Sequence, residues 1–183
     1  MALSKIDAAN FLTGTIPQGN VANASLGAVT ALPAGVGGKV LQVVTATSTT
    51  EVSTTSTSFQ QALTASITPS STSNKIFIAV NLVFRVSGDG TTNSTVRTGK
   101  VGLFRGTVSG TSLSEAENGG YNISATTSAG VQFVNSKNFS HLDSPSTTSS
   151  QQYTIGIRAF GQQSSQAQAF GGKSSIVLME VAG

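Results

Sequence analysis

Beyond residue 39 apolar and polar side chains alternate with the two-residue period of β-strands, not the 3.6-residue period of helices. The clearest run is Lys75 to Val86, where Ile76, Ile78, Val80, Leu82, Phe84 and Val86 share one face. The other face carries Phe77, Ala79 and Val83 among Lys75, Asn81 and Arg85, so both faces are expected to be partly covered and the strand to lie centrally or at a subunit contact. Tyr153, Ile155, Ile157 and Ala159 alternate with Gln152, Thr154, Gly156 and Arg158, the mark of a half-buried antiparallel strand. Further strands are predicted over Val40 to Val44, 59–67, Val101 to Arg105, 121–127, Val131 to Phe139 and Lys173 to Val181. Pro69 to Asn74 reads as a turn and Ser87-Gly88-Asp89-Gly90 as a hairpin loop. About eight strands without a sustained helical period predict an all-β fold, an antiparallel β-sandwich of jelly-roll type with an extended N-terminal arm.

The arm is residues 1–38 and the sandwich domain residues 39–183. In the arm, isolated apolar residues stand among Gly14, Pro17, Gly19, Gly27, Pro33, Gly35, Gly37 and Gly38, and neither period is sustained. Such a segment cannot bury itself, so its apolar side chains are expected to dock on neighbouring subunits or a larger scaffold; a disordered tail is the plainer alternative. Ile6, Phe11, Leu12, Ile16 and Val21 are the expected anchoring and oligomer contacts. A short helical turn over residues 4–11 has Ser4 as N-cap and Asp7 at N3. Gly35-Val-Gly37-Gly38-Lys39 reads as a hinge between arm and domain.

Composition changes the picture in one respect. Charged residues are 9% of the 183, and Ser and Thr occupy about 50 positions, so the surface is hydroxylated where most domains are ionic. The net charge of +3 comes from singly scattered basic residues, with no cluster to neutralise a run of phosphates, so no nucleic-acid binding is expected. There is no cysteine, hence no disulfide and no thiolate metal site. No stretch is long and apolar enough for membrane insertion, and no apolar signal region follows Met1. A hydroxyl-rich β surface without an export signal fits a viral component made in the host cytosol and released by lysis.

Candidate chemistry is sparse. Gly172-Lys173-Ser174 resembles the end of a phosphate loop, but Ala167 stands where its first glycine belongs and a strand follows, so it reads as a polar turn. His141 lies near Asp143 and Ser144, yet triads are assembled from distant segments, and a loop or strand-end histidine is the better reading. A two-carboxylate hydrolase would have to draw on Asp7, Glu51, Asp89, Glu115, Glu117, Asp143 or Glu180. Asp89 with Asn93 and Glu115 with Asn118 offer oxygen ligands without the spacing of a calcium loop. No catalytic residue, metal site or cofactor is therefore assigned. Asn93, Glu115, Asn118 and Tyr121 are the candidate receptor contacts, expected in loops.

Five segments carry a family resemblance: Phe11-Leu-Thr-Gly-Thr-Ile-Pro17, Asn20-Val-Ala-Asn-Ala-Ser-Leu26, Val40-Leu-Gln-Val-Val44, Ser66-Ile-Thr-Pro-Ser-Ser-Thr-Ser-Asn-Lys-Ile76 and Ile176-Val-Leu-Met-Glu-Val-Ala-Gly183. Together the chain resembles tail-fibre and related virion structural proteins of tailed phages, particularly marine ones. The resemblance implies a non-enzymatic virion surface protein, a homotrimer bound to other capsid or tail proteins through its amino-terminal segment. The chain lacks the repetitive shaft of long fibres, which points to a compact knob or a capsid-decorating cap. The alternative function is a receptor-binding adhesion module of the tail whose partner is a host surface glycan.

Overall fold

The structure, a computed structural model, describes residues 40–88, 98–118, 131–160 and 163–183. The chain divides into Met1–Gly38 and Lys39–Gly183, and the described residues all lie in the second unit. The expected arm contacts, the 4–11 turn, the glycine hinge, the strand over 121–127, Asn93 and Tyr121 lie outside them.

The strands in chain order are β1 (Val40–Ser48), β2 (Val52–Thr54), β3 (Gln60–Ile67), β4 (Lys75–Gly88), β5 (Thr98–Arg105), β6 (Thr111–Asn118), β7 (Val131–Asp143), β8 (Gln151–Phe160), β9 (Gln163–Ala167) and β10 (Ser174–Val181). A single 3-10 turn at Ala169–Gly171 is the only helical element among the described residues. Every pairing is antiparallel. One sheet runs β1-β10-β4-β7, with β9 and β2 continuing it along the upper half of β4; the other runs β3-β8-β5-β6. Apart from the short β2, the hairpin β5-β6 and the pair β9-β10, each successive strand crosses to the opposite sheet. That winding, with first and last strands paired, is the jelly roll expected from the alternation.

The core is the inner face of both sheets. Ile76, Ile78, Val80, Leu82, Phe84 and Val86 of β4 meet Val101 and Leu103 of β5 and Tyr153, Ile155 and Ile157 of β8, all buried. β4 is central, flanked by β7 along its whole length and by β10 and β9 on its other edge, as its two partly apolar faces foretold. Several strands are longer than the apolar pattern suggested. β4 continues through Ser87 and Gly88 because β7 and β9 pair with them, and β7 runs on to Asp143. β6, β2 and β9 are polar strands that periodicity did not reveal; cross-strand hydrogen bonds hold them where side-chain burial gives little signal.

Two stretches of the first sheet are interrupted side by side. β10 pairs with β4 up to Asn81 and β9 resumes at Phe84, so the chain between them leaves the ladder opposite Leu82 and Val83. Across the sheet β1 stops at Ser48 and β2 resumes at Val52. The Val83 N–H donates to Ser174 Oγ at 3.0 Å, which satisfies a group the break would otherwise orphan.

The outer face of the four-stranded sheet is sealed locally. Gly102 and Gly156 stand opposite each other in adjacent strands and make a trough filled by Phe104, Phe59 and Val108. The Phe59 and Phe104 rings meet edge to face with centroids 4.9 Å apart. A Cβ on Gly102 would lie 2.6 Å from Phe104, so Gly102→Ala is expected to displace that ring and destabilise the fold by about 1–3 kcal/mol. Urea unfolding measures the change; an unaltered midpoint would contradict the packing described.

Candidate functional site

Two adjacent cross-strand rows at one end of the six-stranded sheet have inverted polarity. The inward row is Gln42, Glu180, Ile76 and Asp143, aligned through the registers of β1, β10, β4 and β7. The outward row beside it is Val43, Met179, Phe77 and Leu142. Two carboxylates thus lie inside and four apolar side chains outside.

The inward carboxylates are fully engaged. Glu180 is 1% exposed and accepts from Asn74 Nδ2 at 2.6 Å, Gln42 Nε2 at 2.5 Å, and the Ser70 N–H and hydroxyl at 2.6 and 2.7 Å. Burial alone would raise its pKa, but these donors overcome that and hold it at about 2. The turn Pro69 to Asn74, legible in the sequence, is thereby tied to β10. Asp143 is also buried, and it joins the two sheets: Arg105 Nε of β5 donates to its Oδ2 at 2.8 Å, Arg105 Nη2 to its Oδ1, and the Tyr153 hydroxyl of β8 to Oδ2 at 2.7 Å. Burial works against its charge, yet hydrogen bonds from Arg105 and Tyr153 and the guanidinium charge hold the carboxyl below its ordinary range. The Tyr153 hydroxyl is pushed up, first by burial and then by Asp143.

A general acid needs a carboxyl whose pKa is raised, and here both buried carboxyls are pushed the other way. The Asp143 carboxylate is taken by Arg105 and Tyr153, and Ser144 uses its carbonyl to accept from Arg105, an arrangement unlike a triad with His141. Among the described residues no group of three His, Cys, Asp or Glu side chains is placed to hold a metal ion.

The outward row is open to solvent. Val43 is 55% and Leu142 51% exposed, with Phe77 and Met179 half-buried between them. Val40 and Leu41, at the start of β1, are about equally exposed, and Val177 and Ala79 extend the band toward the sheet centre. Polar Asn81, Ser140 and Asn138 bound it on that side, and Lys75 stands at its rim. Contiguous apolar surface bordered by polar groups marks a contact site.

At the far end of the same face the aligned interruptions bring two loops together. Gln168 and Phe170 both adopt left-handed backbone, φ 53° and 56°, and neither is glycine. Such residues cost about 1–3 kcal/mol each and persist only where their surroundings hold them. Gln168 is fully buried, and with the amide oriented so that its nitrogen faces the Ala167 and Thr50 carbonyls, each at 3.2 Å, it donates to both. The Phe170 N–H donates to Glu51 Oε2 at 3.2 Å, and the Arg85 guanidinium lies 4.4 Å from the centre of its ring. Phe170 is nevertheless 70% exposed.

The structure places Glu115 in β6 and not in a loop, on the opposite sheet and 4.0 Å from the Arg158 guanidinium, with Asn118 closing the same strand. The outward row was present in the sequence as Phe77, Val43 and Met179 falling on the minor face of their strands; only register aligns them. Phe170 gave no sequence signal, because a lone aromatic before Gly171-Gly172 does not show its backbone conformation.

No protein-family model and no curated protein matches the chain. Among solved structures it is similar to the VP2 subviral particle of infectious bursal disease virus, at 16% identity over 78% of this chain and 33% of that one, with a TM-score of 0.42. It is also similar to a Bacillus endospore appendage of a disulfide-linked pilus family, at 12% identity over 84% of this chain and all of the other, with a TM-score of 0.30. The chain spans about a third of the length of the VP2 chain. Overlaps this loose assign neither family nor role.

The inward row generates a pH dependence with a definite sign. Glu180 and Asp143 have lowered pKa values when folded, so their stabilisation is complete above the ordinary carboxyl range and is lost as pH falls through the folded values. For Glu180 that window runs from about 4.5 down to about 2. The thermal midpoint is expected to hold near neutrality and to fall across this window, less steeply in Glu180→Gln. Glu180→Ala, which strands several buried donors, should cost roughly 2–4 kcal/mol at neutral pH. An acid limb identical in Glu180→Gln would remove Glu180 from the account.

Proposed function

We propose that this chain is a non-enzymatic structural subunit of a virus particle, a tailed-phage surface appendage of knob or decoration type, assembled as a homotrimer and anchored by its amino-terminal arm. The observation that carries the reading is the open row Val43, Met179, Phe77 and Leu142, placed outside a jelly roll whose own core is complete without it. A subunit that works alone gains nothing from four aligned apolar side chains in water; one that meets another copy buries them. The resemblance of five segments to tailed-phage virion proteins supports the particle, and the hydroxyl-rich, charge-poor composition supports a surface position in it.

Magnitude decides what else the assembly requires. Four strands about 4.8 Å apart and three outward rows span roughly 400 Å² per copy, so a pair would bury about 800 Å². Stable specific interfaces bury about 1,200–2,000 Å². The face alone is too small, and the remaining area falls to the arm, with Ile6, Phe11, Leu12, Ile16 and Val21 seated on neighbouring subunits or on the particle.

Mass photometry and sedimentation test this. The whole chain is expected to form trimers at micromolar concentration, Val43→Asp with Leu142→Asp to shift it toward monomer with its thermal midpoint retained, and removal of residues 1–38 to weaken association and particle incorporation together. A monomeric whole chain, or a double variant that trimerises as well as the parent, would defeat the proposal.

A further inference from the structure

The Phe170 platform lies apart from the apolar row, beyond the sheet interruption, and core packing does not account for it. Its ring is carried on a strained backbone that two loops hold in place: Glu51 binds the Phe170 N–H, and buried Gln168 is tied to Thr50. The Arg85 guanidinium backs one side of the ring, and the ring's large exposure leaves the other side to solvent. Planar polar groups surround its base. Arg85 Nε donates to Gln166 Oε1, Arg85 Nη1 to Gln132 Oε1 at 3.3 Å, and Gln166 Nε2 to Ser53 Oγ at 3.2 Å, while Glu51 Oε1 sits 3.8 Å from Arg85 Nη2.

We infer that this platform is a binding site for a neutral saccharide. The apolar C–H face of a sugar ring stacks on an aromatic plane, and amide and carboxylate edges match pairs of neighbouring hydroxyls; the exposed Phe170 supplies the plane, and the exposed Gln132 amide and Glu51 carboxylate supply the edges. Charge selects among sugars. Arg85 is paired with Glu51, so it is not left as a free cation for a phosphate, sulfate or uronic acid, and the exposed Gln132 amide favours uncharged hydroxyls and acetamido groups. Fixing the ring in advance removes the ordering cost that a free surface aromatic would incur on binding. A single shallow site of this kind is weak, and repetition over an assembled particle turns it into useful adhesion.

The test uses the whole chain on immobilised neutral oligosaccharides of glucose, galactose and N-acetylglucosamine, beside acidic oligosaccharides of uronic acid, with binding read by surface plasmon resonance. Phe170→Gly is the informative variant, because glycine accepts positive φ without strain and the fold is retained, as circular dichroism and an unchanged oligomer would verify. Binding to at least one neutral oligosaccharide, lowered about tenfold or more in Phe170→Gly and kept in Phe170→Trp, is the expected result. No neutral oligosaccharide bound by the parent, binding confined to the acidic set, or binding undiminished in Phe170→Gly would each overturn the inference. Loss of self-association in Phe170→Gly without any change in sugar binding would do so too, by making the ring a subunit contact. The outcome is independent of the Val43 and Leu142 variants, which lie at the other end of the sheet.

Discussion

The Asp143 carboxylate, shared between Arg105 and Tyr153, is the interaction on which the lower end of the sandwich depends. Asp143 comes from one sheet and its two donors from the other, so the contact is a polar rivet through what is elsewhere an apolar seam. Burying a carboxylate is costly unless its lone pairs are met by donors of good geometry, and here three donor atoms on two side chains meet them. Glu180, one strand beyond Ile76, repeats the solution with donors from a turn and from β1. With carboxylates and their partners occupying the inside at this end, the strict alternation of a β-strand sends the neighbouring positions outward, and those positions are apolar.

Polarity inverted over two rows is therefore one fact seen from two sides. A strand cannot shift its register by one residue to hide Val43, Phe77, Met179 and Leu142 without bringing Lys75 inside and turning Ile76 and Ile78 out. The saturated inner carboxylates hold the register that keeps the outer band exposed. Stability of the domain and exposure of its apolar band are set by the same pairings.

The fold class was legible because burial in β4, β8 and β10 is strong enough to impose a period of two on the residues. The jelly-roll order was legible only as a class, since pairing partners such as β1 with β10 are remote in the chain and leave no local trace. Polar strands escaped for a physical reason: Thr111 to Asn118 is held by backbone bonds to β5, and its Ser and Glu side chains resemble those of a loop. Glu115 was accordingly expected in a receptor loop, whereas it lies on a sheet surface beside Arg158. In the sequence Asp143 stands beside His141, yet its partners are Arg105, 38 residues away, and Tyr153. Phe170 was missed altogether, because what singles it out is a backbone angle, and sequence reveals such angles reliably only at glycine.

The paired breaks in the first sheet have a mechanical consequence. β4 and β7 run unbroken past the level where β1 gives way to β2 and β10 to β9, so traction along the domain is carried by two continuous strands while their neighbours are jointed. A jointed lip on a continuous spine lets the upper corner of the sheet tilt without unzipping the rest. A pull along the strands would load the spine first and spare the joint.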